Sequence, residues 1–524
     1  MKAQTPKKKL REEAEKLHAS NDILGALRVL DQIIDRDLAD LEDWCLTGEL
    51  LAKVGEFAEA IGAYERCLDL KSDHVQGRFE YGRSLYNLGH VDKAAEEIYR
   101  LAESTNLPHL WQSLATIAPG VPQFSLQRVY EIRQRYASFI RSECELREGF
   151  RRASASISQP IRVAYISAHW SQANYMKPVW PLINAHDCNR FDFFVLDDSS
   201  SEPAWSWLKN RRVERCMVGS LSNSELAKRI QEMKIDILVD LSSYSKPLRL
   251  GLFVHRAAPI QMAWFNAFAT NGFNEIDFIV GDRTVMGSGE EQFYAERFLE
   301  LPVSYLTFQT EHDAPAVAAA PVKTSGQFTF GCLATQYKIT PQVIAAWSEI
   351  LKNSRGTKLV LANRALKSSC NREFILNSFK LHGIDVQRIQ IFPPASHFEF
   401  LKYYDRIDVA LDVFPYNGGT TTMEAIWQGV PVLTFNGDRW ASRTSRTILE
   451  FAGLDRFVAN DREEYIETAT ELATDQSAWN ELAELRREMR ERLLQSSVTD
   501  STALARGMED IFQKVVQSDV CSHP

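Results

Sequence analysis

The chain has 524 residues, 45% hydrophobic and 25% charged, which is too long for one core and suggests three or four domains at roughly 150 residues each. That composition excludes a collagen-like, wholly disordered or staple-dependent chain. A formal net charge of -9 argues against nucleic acid as the main partner.

Eight cysteines are scattered without a C-x-x-C pair, so neither a disulfide framework nor a structural metal site is expected. The start, MKAQTPKKKLREEAEKL, is basic but runs into charge and not into an apolar core, unlike a secretory signal. No apolar stretch approaches a membrane span, and a cytoplasmic, reducing location is expected.

From residue 10 to 104 the hydrophobic period is helical and the pattern repeats. Ala26, Ala60 and Ala94 stand 34 residues apart, and Gly55 and Gly89 share that spacing. Trp44, Gly48, Leu51, Ala60, Tyr64 and Cys67 fall where a tetratricopeptide repeat places its packing residues, as do Gly82, Leu85, Ala94, Ile98 and Leu101. Small residues let two antiparallel helices approach, and larger ones fill the seam between repeats. Three repeats either hold a partner or extend the next domain. The helical character continues from Leu126 to Phe150, and SASISQP then breaks it.

From Ile161 the runs IRVAYIS, FDFFVLD (191–197) and DILVDL (236–241) alternate with helical stretches, which predicts a parallel sheet covered by helices. The segment APAVAAAPVKTSGQ (314–327) reads as a linker. A second strand-and-helix unit follows, with FTFGCLA (328–334), TKLVLAN (357–363), IQIFP (389–393), VALDVF (409–414) and VPVLTF (430–435). Two Rossmann-like lobes bind ligands beyond the carboxyl ends of their strands. From 475 the tail is charged helix.

The strongest local signal is DVFPYNGGTTTMEAIWQG (412–429). A strand ends, Gly418 and Gly419 turn the chain, and Thr420, Thr421 and Thr422 open a helix that carries Glu424. Unpaired amides, a positive dipole end and hydroxyls together suit a diphosphate, although threonine-rich helix caps also occur without a ligand. In GCLATQYKITPQVIAAW (331–347), Thr340 is the expected N-cap and Pro341 the first helical residue. Lys338 just ahead of them is placed either to neutralise a departing phosphate or to sit in solvent. FNGDRWASRTS (435–445) offers Arg439 and Arg443 for an anion site, with solvent exposure as the equal alternative. Neither G-x-G-x-x-G nor G-x-x-x-x-G-K-[ST] occurs, and no aspartate-rich metal cluster is present.

These motifs resemble the protein O-GlcNAc transferases and Spindly-type O-fucosyltransferases of glycosyltransferase family 41. The matching stretches include RVAYIS (162–167), RAAPIQMAW (256–264), QYKITP (336–341) and RIDVALDVFPYNGGTTTMEAIWQGVPVLTFNG (406–437). The resemblance implies tetratricopeptide-like repeats over 1–108, a helical connector over 109–160 and an N-terminal, acceptor-side Rossmann-like lobe over 161–313. A linker over 314–327, a C-terminal nucleotide-sugar lobe over 328–490 and a C-terminal helix and tail over 491–524 complete a GT-B plan. It further implies metal-independent, inverting transfer of a sugar from a nucleotide diphosphate to a protein hydroxyl. The donor would be a UDP-sugar, with UDP-GlcNAc favoured, or GDP-fucose, and no cofactor is required. Partners would be an acceptor protein and the nucleotide sugar, with no nucleic acid; a homodimer is left open.

On that resemblance Lys338 touches the diphosphate, Gly419, Thr420 and Thr421 cradle the phosphates, and Glu424 contacts the nucleotide sugar. Phe400 takes the place of the family's base-stacking histidine, with His397 three residues before it. The family's histidine after the first strand is replaced by Ala173, and His169 is the nearest candidate for its role. The family's G-Y-P-G-T-[ST]-G loop reads NAFATNG (266–272) here. The donor side is therefore expected to be kept and the acceptor side altered, which also fits a catalytically silent lobe that binds a protein partner.

Overall fold

The computed structural model describes residues 6–144, 159–199 and 205–521. Most of the break at SASISQP therefore lies outside the described residues. By internal contacts the chain falls into two compact units. One gathers Met1–Ile117, Val121–Gln123 and Cys332–Ser396; the other gathers Ala118–Gly120, Phe124–Gly331 and His397–Pro524.

The first unit begins with six helices: α1 (Pro6–Ala19), α2 (Ile23–Ile34), α3 (Leu41–Val54), α4 (Phe57–Leu70), α5 (Val75–Asn87) and α6 (Val91–Thr105). They form three antiparallel pairs, as the 34-residue spacing predicts. Ala26, Ala60 and Ala94 are fully buried in the seams. A Cβ on Gly48 would stand 2.7 Å from the Tyr64 ring, and one on Gly82 would stand 2.9 Å from Ile98, so hydrogen alone fits at both sites.

The repeats pack against the Cys332–Ser396 portion of the same unit. Tyr86 stacks on Tyr337 with ring centroids 5.0 Å apart. Gly89, at φ +92°, passes so close to the Ile339 carbonyl that a Cβ would meet its oxygen at 2.2 Å. Asn371 donates to the Gly55 carbonyl at 2.7 Å and accepts from the Ala58 amide at 2.9 Å. Of the two readings of the repeats, this packing supports extension of the next domain.

The second unit holds a seven-stranded parallel sheet in the order β3-β2-β1-β4-β5-β6-β7. Its strands are β1 (Ile161–Ser167), β2 (Phe191–Asp197), β3 (Glu214–Met217), β4 (Ile237–Asp240), β5 (Ile260–Ala263), β6 (Phe278–Asp282) and β7 (Arg297–Leu301). The order reverses between β1 and β4, the place where loops from adjacent strands part and leave a crevice. Strands β3 and β5–β7 extend the sheet beyond the three strand runs read from the sequence.

Further along, β8 (Thr329–Cys332) pairs in parallel with β11 (Val409–Leu411), which pairs with β12 (Val432–Phe435), which pairs with β13 (Val458–Ala459). In the first unit β9 (Lys358–Ala362) pairs with β10 (Ile389–Phe392), again in parallel. Helical repeats followed by parallel α/β sheets are thus the architecture.

The 314–327 stretch is not a loose tether. It contains a short helix, Pro321–Ser325, with Ala320 and Val322 buried. Asp408 accepts from the Val322 amide at 3.0 Å, and Arg486 donates to the Ala318 carbonyl at 2.8 Å. Among the described residues no helix is long and apolar enough to cross a membrane.

Candidate active site

The turn after β11 is built around a buried carboxylate. Asp412 accepts from the Val413 amide at 2.9 Å, the Gly418 amide at 3.1 Å and the Thr434 hydroxyl at 2.8 Å. Burial still raises its carboxyl above the usual aspartate range, with those bonds opposing. Gly418 has no room for a side chain: a Cβ would lie 2.4 Å from Thr421 Oγ1 and 2.9 Å from Thr422 Oγ1. At Gly419 the nearest atom to a Cβ is 3.6 Å away.

The turn delivers the helix Thr420–Trp427, whose N-cap, Gly419, supplies no side-chain hydrogen bond. Its first-turn amides can therefore face a ligand, and Thr420 and Thr421 are half-buried beside them. Thr422 is turned inward, bonded to the Gly418 carbonyl at 3.1 Å and the Ser445 hydroxyl at 2.8 Å. It frames the turn and does not present a hydroxyl.

One helical turn on, Glu424 is 5% exposed and anchors a polar cluster. Its Oε1 accepts from Asn174 Nδ2 at 2.6 Å and from His397 Nε2 at 2.8 Å, and lies 3.8 Å from Lys177 Nζ. Burial alone would raise the Glu424 carboxyl, but Lys177, His397 and Asn174 hold it below the usual glutamate range. Burial pulls the Lys177 ammonium down against the attraction of Glu424. His312 packs edge-on against His397, with ring centroids 4.7 Å apart, and burial lowers it too.

Three buried polar atoms in this cluster, Lys177 Nζ, Asn174 Oδ1 and His312 Nε2, have no hydrogen-bond partner. A donor and an acceptor left open around one carboxylate are what a hydroxyl-bearing ligand would complete. Sequence reasoning passed over Asn174 and Lys177 although both lie in SAHWSQANYMKP. The available signal was a lysine three residues after an asparagine in the loop that follows a Rossmann strand.

His169 follows β1 at the strand-order reversal. Its Nε2 lies 2.9 Å from Ser245 Oγ, whose own hydrogen goes to the Ser242 carbonyl at 2.6 Å. His169 therefore carries its proton on Nε2, and Nδ1 accepts from Gln172 at 3.1 Å. Burial, then Lys246, lowers its basicity and keeps the ring neutral near pH 7. The NAFATNG loop is tied down: Arg133 donates to the Thr270 carbonyl at 2.5 Å, and Tyr244 to that of Asn271 at 2.9 Å.

Lys338 is half-buried in the turn Gln336–Lys338, directly before the helix Pro341–Asn353, whose N-cap Thr340 accepts from the Val343 amide. Phe400 is half-buried on the helix His397–Leu401, with the Tyr403 ring 5.9 Å away. Arg443 does not complete an anion site. Its guanidinium grips Glu290 through two bonds of 2.8 and 2.6 Å and also donates to the Gly437 and Val285 carbonyls.

A family model described as Glycosyl transferase family 41 matches residues 148–316 and 325–508. A Hordeum vulgare protein named probable UDP-N-acetylglucosamine–peptide N-acetylglucosaminyltransferase SPINDLY is 32% identical over 309 residues, covering 59% of this chain and 32% of its own. An Arabidopsis thaliana protein of the same name is 27% identical over 364 residues, covering 68% and 39%. The chain thus spans about a third of the length of these curated relatives. A solved structure, a lysine-to-methionine mutant of the Thermobaculum terrenum O-GlcNAc transferase, matches with a TM-score of 0.82 and 26% identity over 99% of this chain and 98% of that one.

Proposed function

This chain belongs to glycosyl transferase family 41, and on that premise we propose that it moves a sugar from a nucleotide diphosphate to a serine or threonine hydroxyl of a protein. The observation that carries this reading is the Glu424 cluster, where open donor and acceptor atoms stand one turn from an uncapped helix start. A nucleotide sugar offers both kinds of group the place calls for: anionic phosphates for the amides and ring hydroxyls for Lys177, Asn174 and Glu424. UDP-GlcNAc is the favoured donor because the relatives' names specify it, with GDP-fucose as the alternative.

In the proposed reaction the acceptor oxygen forms a bond to the anomeric carbon as the bond to the phosphate oxygen breaks from the opposite face. Gly419, Thr420 and Thr421 then offset charge on the departing diphosphate, joined by Lys338. Phe400 and His397 would contact the nucleoside end. His169 is the candidate proton acceptor, which requires exposed Gln172 to leave Nδ1. No metal is called for in this scheme, because cationic side chains and amides supply the positive charge. The expected domain boundaries, a cytoplasmic location and an acceptor protein as partner belong to the same proposal.

A second reading, a silent lobe that docks a partner, draws on Ala173 and on the engagement of both His169 nitrogens. Calorimetry with UDP-GlcNAc, UDP and GDP-fucose separates the two, run beside Lys338→Ala. Tight binding of one nucleotide type that weakens in the variant, followed by sugar transfer to protein acceptors, supports the enzyme. A folded chain that binds no nucleotide at millimolar concentration rejects it.

A further inference from the structure

Away from this site, three helices of the repeats bring two thiols and an imidazole to one point. Cys45 on α3 and Cys67 on α4 have their sulfurs 3.2 Å apart. Nδ1 of His74, the N-cap of α5, lies 3.4 Å from Cys45 Sγ and 3.5 Å from Cys67 Sγ. Gly77 keeps the space between them clear: a Cβ there would fall 2.8 Å from both Cys67 Sγ and His74 Nδ1, and 3.4 Å from Cys45 Sγ.

We propose that Cys45, Cys67 and His74 form a zinc(II) site that pins the second repeat to the third. Two sulfurs and one imidazole nitrogen are a donor set for this borderline-soft cation. Bonds of about 2.3 Å to sulfur and about 2.0 Å to nitrogen place tetrahedral ligand atoms roughly 3.5–3.8 Å apart, so the two sulfurs need to part by about 0.6 Å while the nitrogen already stands near its place. Two thiolates neutralise the ion, and the partial exposure of Cys45 and His74 leaves water access to a fourth position.

Without a cation the arrangement is oversubscribed. Nδ1 has one lone pair, yet the Gly77 amide at 3.1 Å and both thiols converge on it. Metal binding takes that lone pair from Gly77 and exchanges one helix-start hydrogen bond for three metal bonds. Both thiols give up their protons to the cation, so each ion that binds displaces protons. The spacing 45, 67, 74 matches no linear metal motif because helix packing, and not a loop, gathers the ligands.

The test titrates the reduced, chelator-treated full chain with cobalt(II), then zinc(II). One cobalt per chain is expected, with an intense near-ultraviolet thiolate charge-transfer band that one equivalent of zinc bleaches, and a melting temperature that rises with zinc. Cys67→Ser should abolish the band, and His74→Asn, which keeps an N-cap acceptor, should weaken cobalt binding at least tenfold. Cys45→Ser, at a partly exposed position, carries the same reading should Cys67→Ser fail to fold. Absence of the band in protein with all thiols free overturns the site, as does a band that survives undiminished in Cys67→Ser or Cys45→Ser.

Discussion

Lys177 Nζ lies 3.8 Å from Glu424 Oε1 with both side chains at least 95% buried, and the ammonium makes no hydrogen bond. A buried cation held at that distance recovers little of its lost hydration. Lys177→Met, close in volume, should lower the melting temperature of the free protein, because it leaves the buried Glu424 carboxylate without its nearby ammonium. It should weaken nucleotide-sugar binding about tenfold, or ~1.4 kcal/mol. A scanning calorimeter and a binding titration on the same samples decide it. Lost stability with unchanged affinity would make Lys177 a packing residue.

Glu424 gives a pH dependence with a defined sign. Its folded value lies below the usual 4.5, because Lys177, His397 and Asn174 outweigh burial. The ionised carboxylate therefore adds stability that is complete above the unfolded value and is lost as pH falls through the folded one. Glu424→Gln removes that contribution. The gap in urea midpoint between wild type and variant should be constant from neutral pH down to about 5 and should shrink in more acid solution. A gap that widens below the glutamate range contradicts the pairing.

Gly418 and Gly419 are neighbours with opposite tolerances. At Gly418 a methyl would strike the Thr421 and Thr422 hydroxyls, whereas at Gly419 it meets only an ordinary contact. Gly418→Ala should distort the helix start and weaken diphosphate binding at least tenfold. Gly419→Ala, at φ −112° and clear of the protein's own atoms, should keep the turn and weaken UDP binding less than Gly418→Ala does. UDP titrations of the two variants make the comparison, and equal losses would mean that the turn does not hold the phosphates.

The repeats were legible because their constraint is local: a 34-residue period of small residues records helices that touch, and Gly48 against Tyr64 shows the contact directly. The Gly418–Glu424 turn was legible for a similar reason, since strand, glycines and helix start lie in one run. What escaped is non-local. Arg443 looked free for an anion because its partner Glu290 is 153 residues away. Asn174 and Lys177 sit on an irregular loop without a period, and gain meaning only when Glu424, 250 residues beyond Asn174, meets them. Strands β5 and β6 are short and fully buried, so they lack the alternation that marks a half-exposed strand.

The packing of the 314–327 stretch shows how one distant side chain can close a linker. Arg486 is 2% exposed and donates to the carbonyls of Ala318 at 2.8 Å, Ile407 at 2.7 Å and Tyr404 at 2.9 Å. Burial lowers its guanidinium from the usual arginine range, opposed by Asp408 and Asp405. Arg486→Met would leave three carbonyls without this donor and two acids without their cation, a loss of about 3 kcal/mol. Lysine should not rescue it, because one ammonium lacks the planar fork that reaches three carbonyls. The variant's urea midpoint should fall, and limited proteolysis should cut within 314–327 at a rate the wild type does not show. Resistance at 314–327 in a destabilised variant would mean that the Asp408 bond to the Val322 amide holds the stretch without Arg486.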